Sequence, residues 1–156
     1  MYTLNVVSPV GRLTLVEQEG AIVGLGWGDA PDNLPDGAPT PLLAEAARQL
    51  DAYFAGTLTD FDLPLAPPGT DHQKRVWRAM AEIPYGETWT YGAVASRANT
   101  VPRAVGGACG ANPIPLILPC HRVIAANGGR GGYSGRGGLK TKMALLDIEN
   151  RTGRLL

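Results

Sequence analysis

The chain has 156 residues, of which 44% are hydrophobic, and its 14 basic and 14 acidic side chains give a formal net charge of zero. This length allows one or two small domains with a buried core. No apolar run approaches the roughly 20 residues of a membrane-spanning helix, and the alternating N-terminal sequence does not resemble a secretory signal peptide. Only two cysteines are present, so we expect a cytosolic protein with free thiols and no disulfide framework.

The charges are divided unequally between the two parts of the chain. Residues 1–72 hold two basic and ten acidic side chains, whereas residues 73–156 hold twelve basic and four acidic ones, so the two parts carry −8 and +8. This asymmetry favours a C-terminal part that faces a polyanion. The alternative is that two solvated surfaces happen to differ in charge.

Residues 1–65 predict a small antiparallel sheet with one helix. The stretch TLNVVSPVGRLTLVEQEGAIVGLGW alternates apolar and polar residues, and turn signals near Pro9 and Gly20 divide it into three short strands. From Pro41 to Gly56, apolar residues recur on one face of a predicted helix. The segment TLTDFDLPLAPPGT then has the composition of a linker and predicts the domain boundary.

Residues 70–156 predict a mostly helical second domain. A helix capped by Thr70 or Asp71 comes first, and a second helix covers residues 90–98. The break NTV, followed by Pro102 as a favourable first helical residue, indicates two short helices joined as in a helix-turn-helix. We predict an extended chain through IPLILPCHRVI, then a glycine-rich loop and a last helix over LKTKMALLDIEN. The predicted fold class is therefore α/β, of the α+β type.

Cys120 is the first candidate for chemistry and lies between a proline and a His-Arg pair. A thiol reacts as the thiolate, so it needs a base or a positive charge nearby. In the predicted extended chain, His121 would point away from Cys120, which favours a bridging water between the two side chains. The alternative is a buried cysteine that acts only as a small apolar residue.

Glu149 and Arg103 are noteworthy for their positions in predicted helices. Glu149 ends the last helix, where the helix dipole disfavours a negative charge, so a partner such as a histidine is indicated. A solvated helix terminus is the alternative. Arg103 opens a helix of small residues whose glycines are costly unless the helix closely approaches a nucleic acid or a second helix. An ordinary exposed arginine on a tightly packed helix would explain the same pattern.

The sequence carries no recognisable cofactor or metal motif. The loop NGGRGGYSGRGG lacks the Lys-Ser/Thr ending of a phosphate-binding P-loop. Two cysteines and two histidines show no zinc-ligand spacing, so neither a metal nor a cofactor is expected. The loop is either a flexible segment or a pocket wall in which Tyr133 and Ser134 contact a flat ligand.

Several stretches taken together closely resemble the O6-alkylguanine-DNA alkyltransferases: IPYGET, YGAVA, RAVGGACGANPIPLILPCHRVI, GGYSG and ALLDIE. Members of this family are DNA repair proteins that remove an alkyl group from guanine in one suicidal step. The resemblance covers residues 70–150 continuously. Residues 1–60 fit the family's small N-terminal domain in length and in the order of strands and helix. The resemblance thus implies two domains, residues 1–65 and residues 70–156.

The resemblance implies a catalytic role for four residues. Cys120 corresponds to the alkyl-accepting cysteine, and His121 to the histidine that acts on this thiol through a water. Glu149 corresponds to the glutamate that orients the histidine. Tyr91 matches the tyrosine that helps to protonate the departing guanine and positions the phosphate of the flipped nucleotide.

Further matches concern the flipped base and the duplex. The backbone carbonyl of Val123 would read the guanine amino group, and Asn112 would be the hinge behind the recognition helix. Tyr133 and Ser134 match the loop that closes over the base. Arg103 matches the finger that fills the gap left by the flipped base. The residues expected to bind DNA are Arg103, Ala104, Gly106 and Thr90.

The resemblance therefore implies direct-reversal DNA repair. A methylated-DNA–[protein]-cysteine S-methyltransferase would transfer the alkyl group of O6-alkylguanine, and of O4-alkylthymine as a further candidate, to Cys120 and be inactivated. We expect it to act as a monomer on double-stranded DNA, and we do not expect it to associate with a membrane. The expected location is the cytoplasm, where the protein would associate with the nucleoid when bound to DNA. In a eukaryote the expected location is the nucleus.

Three other functions compete with this one. A related class of lesion binders carries another residue, typically tryptophan, at the cysteine position, which Cys120 argues against. A helix-turn-helix module that binds DNA without chemistry explains the +8 region but leaves Cys120, His121 and Glu149 without a role. A Cys-His hydrolase is disfavoured because adjacent cysteine and histidine rarely form a dyad.

Overall fold

The computed structural model describes residues 1–28, 30–126 and 138–155, with side chains as far as residue 150. The chain forms two compact units, Met1–Pro68 and Gly69–Leu156. The first contains a three-stranded antiparallel sheet and the second is mostly helical, which confirms the predicted fold class. No helix of the described segments is long and apolar enough to cross a membrane.

The first unit is a meander of three strands with one long helix. Its elements are β1 (Tyr2–Ser8), β2 (Gly11–Gln18), β3 (Ala21–Trp27) and α1 (Pro41–Phe54). Alternate residues of the central strand, Leu13 and Leu15, are fully buried, as the period of a half-buried strand requires. The helix contacts β1 and β2 and buries Leu43 and Leu50. It ends two residues before Gly56, whose φ of 80° is unsuited to a helix.

The second unit places short helices around two short strands. Its elements are α2 (Asp71–Ala81), β4 (Trp89–Thr90), α3 (Tyr91–Ala98), α4 (Pro102–Gly110), β5 (Val123–Ile124) and α5 (Leu139–Leu155). Strands β4 and β5 pair in parallel, with Trp89 opposite Val123 and Thr90 opposite Ile124. This pairing joins the start of α3 to the segment that follows Cys120.

Helix α2 begins at a capping box. The Thr70 hydroxyl accepts a hydrogen bond from the Gln73 amide, and the Gln73 side chain accepts one from the Thr70 amide. Trp77 is buried on the inner face of α2, and its indole nitrogen donates to the Ala108 carbonyl at 2.9 Å. The same tryptophan thus fixes α4 against α2.

Helices α3 and α4 are separated by a tight break, as the sequence predicts. Asn99 ends α3 in the left-handed region, with a φ of 58°. The carbonyl of Ala98 accepts a hydrogen bond from Arg75 Nε, and the Thr100 hydroxyl lies 3.0 Å from His72 Nε2. Both contacts tie the break between the helices to α2.

The prediction of an extended chain from residue 114 to residue 124 is wrong. Leu116 has a φ of 77°, the Leu118 amide donates to the Ile114 carbonyl, and Cys120–Arg122 form a single 3₁₀ turn. Only residues 123–124 are a strand. The prolines at 113, 115 and 119 lack the amide donors that a sheet ladder needs, so the apolar run folds into a loop.

The last helix is longer than predicted. It runs to Leu155 rather than to residue 150. Leu139 and Met143 are 48% and 40% exposed, whereas Leu145 is fully buried. The buried face also carries Lys142, which the pattern of apolar residues does not reveal.

We predict that Trp77→Phe lowers the free energy of unfolding by about 1–3 kcal/mol, because the buried Ala108 carbonyl loses its donor. Chemical denaturation followed by circular dichroism measures this change. The matched control is Trp27→Phe, whose indole donates to the Val10 carbonyl at 3.0 Å but is only half-buried. A loss at Trp77 no larger than the loss at Trp27 would contradict this role.

Candidate active site

Cys120 is presented by a rigid backbone. It begins the 3₁₀ turn Cys120–Arg122, is 3% exposed, and its amide donates to the Leu118 carbonyl at 2.8 Å. The side chain of Asn112 closes the loop in front of it, because Asn112 Nδ2 donates to the Leu118 carbonyl and Oδ1 accepts from the Ile114 amide, each at 2.9 Å. Asn112 therefore follows α4 in the chain and fixes the carbonyl to which the Cys120 amide is bonded.

The Cys120 thiol needs a base. Burial raises its pKa, although a hydrogen bond from Asn112 and the positive charge of Lys142 act in the opposite direction. At neutral pH the side chain is therefore a thiol, and its reaction requires removal of the proton.

His121 is a suitable base and is completely buried. Its Nε2 lies 2.6 Å from Glu149 Oε2, so Nε2 carries the proton and Nδ1 is left as the acceptor. Within the described residues Nδ1 has no hydrogen-bond partner. Burial lowers the pKa of His121 and outweighs the opposing effect of Glu149, so the ring is neutral.

No hydrogen bond joins Cys120 directly to His121 in the part of the chain that the structure describes. The 3₁₀ turn explains this, since three residues per turn direct successive side chains about 120° apart. The side chains of Cys120 and His121 therefore point in different directions, as expected from sequence. The cause is the 3₁₀ turn and not the predicted extended chain.

Glu149 is the most heavily bonded carboxylate of the site. It is 1% exposed and accepts hydrogen bonds from His121, from Arg122 Nε at 2.9 Å and from Arg122 Nη2 at 3.2 Å. Burial opposes its ionisation, but His121 and Arg122 together lower its pKa to about 2. The prediction that Glu149 ends the last helix is wrong, because α5 continues to Leu155. Glu149 nevertheless has a histidine as a partner. An unfavourable helix dipole at the end of the helix is not the reason for this partner, because Glu149 does not lie there.

Sequence reasoning missed two buried cations. Arg122 is 6% exposed and also donates from Nη1 to the Ile83 carbonyl at 2.8 Å. Lys142 is fully buried, and its Nζ donates to the Val123 carbonyl at 2.6 Å. The spacing of Lys142, Leu145 and Glu149 on one helical face could have indicated that the lysine points inward.

Two further predicted residues lie beside the site through the β4–β5 pair. The Thr90 hydroxyl caps α3 by accepting from the Ala93 amide at 3.0 Å, and Tyr91 is the first residue of that helix. Both are half-buried. Because Thr90 is paired with Ile124, the start of α3 lies next to Val123 and the turn that carries Cys120.

One face of α4 is open. Arg103, Gly106, Gly107 and Gly110 are all exposed and follow the i, i+3, i+4, i+7 spacing of a single helix face. Apart from the chain neighbours and the backbone of the helix itself, a Cβ atom built on any of the three glycines has no described heavy atom within 4 Å. Packing among the described residues therefore does not require glycine on this face, although each helical glycine costs up to about 1 kcal/mol. Ala104 is half-buried and lies partly off this face.

The other candidate residues add no further group to the site. Tyr133 and Ser134 lie outside the described residues. Cys109 packs with its sulfur 3.6 Å from that of Met80, and burial raises the pKa of its thiol to about 12, so it is a poor nucleophile. Within the described ranges, no group of three or more His, Cys, Asp or Glu side chains could hold a metal ion.

Glu149→Gln should lower the free energy of unfolding at pH 7 by about 3 kcal/mol, because the pKa of the carboxyl is about 2 instead of 4.5. A depressed carboxyl pKa contributes stability that is fully present above pH 4.5 and is lost as the pH falls through 2. Urea denaturation at several pH values should therefore show the difference between wild type and variant shrinking on acidification.

Glu45→Gln is the matched control for this measurement. The pKa of Glu45 is also lowered to about 2, mainly by its hydrogen bonds with Arg48 and Gln49. Its side chain is 42% exposed, so solvent screens the ion pair and the substitution should change stability much less. Equal effects of the two substitutions would contradict a special contribution of the buried carboxylate.

Both units match models of one protein family. Residues 71–151 match the DNA binding domain of 6-O-methylguanine DNA methyltransferase, and residues 1–67 match its ribonuclease-like domain. The methylated-DNA–protein-cysteine methyltransferase of Methanosarcina acetivorans is 46% identical over 155 residues, which cover 96% of this chain and 98% of that protein.

Solved structures show the same likeness. The crystal structure of the Mycobacterium tuberculosis O6-methylguanine methyltransferase has a TM-score of 0.83 at 42% identity, covering 97% of this chain and 94% of that one. The structure of Mycobacterium tuberculosis OGT in complex with DNA has a TM-score of 0.84 at 42% identity, covering 96% and 93%. The chain therefore belongs to the methylated-DNA–protein-cysteine methyltransferase family.

Proposed function

We propose that this protein repairs DNA by transferring the methyl group of O6-methylguanine to Sγ of Cys120, once per molecule. The observation that carries the proposal is the buried His121–Glu149 pair immediately beside a buried thiol. A cysteine that only fills space needs no neutral imidazole next to it, held by an ionised carboxylate.

The proposed reaction uses each group in turn. A water relays the Cys120 proton to Nδ1 of His121, while Glu149 remains ionised and holds Nε2–H. The thiolate attacks the methyl carbon, an S–C bond forms, and the bond between that carbon and O6 breaks with its electrons on guanine. The base then takes a proton, a step that we assign to Tyr91. The product is a stable thioether, so the protein is consumed.

The burial of Cys120 requires the base to leave the duplex. A thiol that is 3% exposed cannot reach a methyl group inside a base stack, so the nucleotide must be extruded at a cost of a few kcal/mol. We assign Arg103, exposed at the start of α4, to the gap left by the base. Val123, whose carbonyl is bonded to Lys142, is assigned to the amino group of the guanine.

The open glycine face of α4 supports a close approach to DNA. Its glycines leave the backbone uncovered next to Arg103, which suits the minor groove or a phosphate backbone. The +8 charge of residues 73–156 supports the same assignment, because phosphate neutralisation supplies most of the sequence-independent affinity.

We propose that the protein acts as a monomer in the compartment that holds the DNA, the cytoplasm in a prokaryote. The groups assigned to the chemistry, Cys120, His121, Glu149 and Tyr91, all come from one unit of one chain. No second subunit is needed to complete the proposed reaction.

Intact-mass measurement tests the transfer. After incubation with a duplex oligonucleotide that contains O6-methylguanine, the wild type should gain one methylene unit and Cys120→Ser should gain none. Cys109→Ser is the matched control and should gain the same mass as the wild type, because its thiol is a poor nucleophile. An unchanged wild-type mass together with full DNA binding would favour a lesion binder without chemistry.

Gly106→Ala tests the open face of α4. Alanine should raise the free energy of unfolding by up to about 1 kcal/mol, since nothing lies within 4 Å of the added Cβ and alanine favours a helix. The same methyl group should weaken DNA affinity several-fold in a binding titration, because it holds α4 away from the duplex. Gly26→Ala, also open but in the first unit, should bind normally. Unchanged affinity in Gly106→Ala would contradict the assignment.

A further inference from the structure

The guanidinium group of Arg122 is held on several sides. Its Nε and Nη2 donate to the two oxygens of Glu149 at 2.9 and 3.2 Å, and its Nη1 donates to the Ile83 carbonyl at 2.8 Å. Its central carbon lies 5.6 Å from the ring centre of Tyr85. A planar cation is thus fixed in the interior against one carboxylate, next to the histidine that shares it.

Stability alone is a poor reason for this arrangement. A buried ion pair gains little, because the loss of hydration of both charges offsets their attraction, and apolar side chains could pack equally well. What Arg122 contributes is a positive charge on the carboxylate that already holds His121.

The charge matters because His121 is surrounded by ionisable groups. Glu149 and Lys142 face it from α5, and Arg122 and Cys120 adjoin it in the 3₁₀ turn. Burial lowers the pKa of His121, Glu149 opposes this, and the charges of Arg122 and Lys142 add to the lowering. If Arg122 were absent, its positive charge would no longer offset the negative charge of Glu149. The pKa of His121 would then rise, and the imidazole would be protonated more readily.

We propose that Arg122 is a positioning residue that balances the charge of Glu149 and thereby keeps His121 neutral, ready to accept the thiol proton at Nδ1. This inference rests on the proposed methyl transfer. The proton leaves Cys120 and resides on His121, while Glu149 stays ionised and takes no proton. Arg122 itself contacts neither the thiol nor the substrate in this assignment.

The test is the pH dependence of single-turnover methyl transfer to excess protein. In Arg122→Gln the pKa of His121 should rise, so the acidic limb of the rate profile should move to higher pH, and on that limb the rate should fall by up to about tenfold for a rise of about one pH unit. The difference in rate between Arg122→Gln and wild type should shrink toward about pH 9, because His121 is then neutral in both proteins. Arg122→Lys keeps the charge and should keep the wild-type pH profile, even if it is less stable.

A loss of rate in Arg122→Gln that is equal at every pH would overturn the inference and indicate a structural role. If Arg122→Gln does not fold, the double variant Arg122→Gln/Glu149→Gln removes both charges. It should be no slower than Glu149→Gln alone, because Arg122 acts through Glu149. A further loss in the double variant would overturn the inference.

Arg48→Gln is the matched control. Arg48 also holds a glutamate with two hydrogen bonds, at 2.7 and 2.6 Å, but at the surface of the first unit. Its substitution should leave the pH profile unchanged. Absence of transfer by the wild type would overturn the proposed function together with this inference, whereas wild-type transfer with a pH-independent loss in Arg122→Gln would overturn only the role of Arg122.

Discussion

The buried carboxylate of Glu149 is the group on which the active site depends. It is 1% exposed and is bonded to His121 and to Arg122, which in turn is bonded to the Ile83 carbonyl. An isolated charge in a dry interior is costly, so this carboxylate depends on the donors around it, which include the Gly86 amide at 3.4 Å. Glu149 therefore joins the last helix to the turn that carries Cys120, and Arg122 joins that turn to the segment after α2 through the Ile83 carbonyl.

A second polar side chain, Asn112, connects this centre to α4. Asn112 lies two residues after the helix whose open face we assign to DNA, and it is bonded to both ends of the loop that leads to Cys120. Its burial is affordable because its amide donates and its carbonyl accepts within the loop. The helix proposed to approach the duplex and the thiol proposed to react thus share one structural anchor.

Local signals were sufficient for most of the fold. Pro41 opens α1, Pro102 opens α4, Thr70 caps α2, and the alternating N-terminal sequence forms the predicted meander. Each of these signals acts through neighbouring residues, so the sequence contains it whole. The family, and with it the proposed roles of the residues around Cys120, was also recognisable from sequence, because the motif surrounding that cysteine is long.

The apolar run before Cys120 has the composition of a strand, but its prolines and the hydrogen bonds of Asn112 close it into a loop, and the thiol begins a 3₁₀ turn. Contacts between distant segments decided the rest. Arg122 and Lys142 belong to residue types that are rarely buried, and only the packing of α5 against the turn places them inside. The sequence by itself determined which elements form and which family the chain resembles. The tertiary structure alone decided which charges meet, since burial depends on partners that are far apart along the chain.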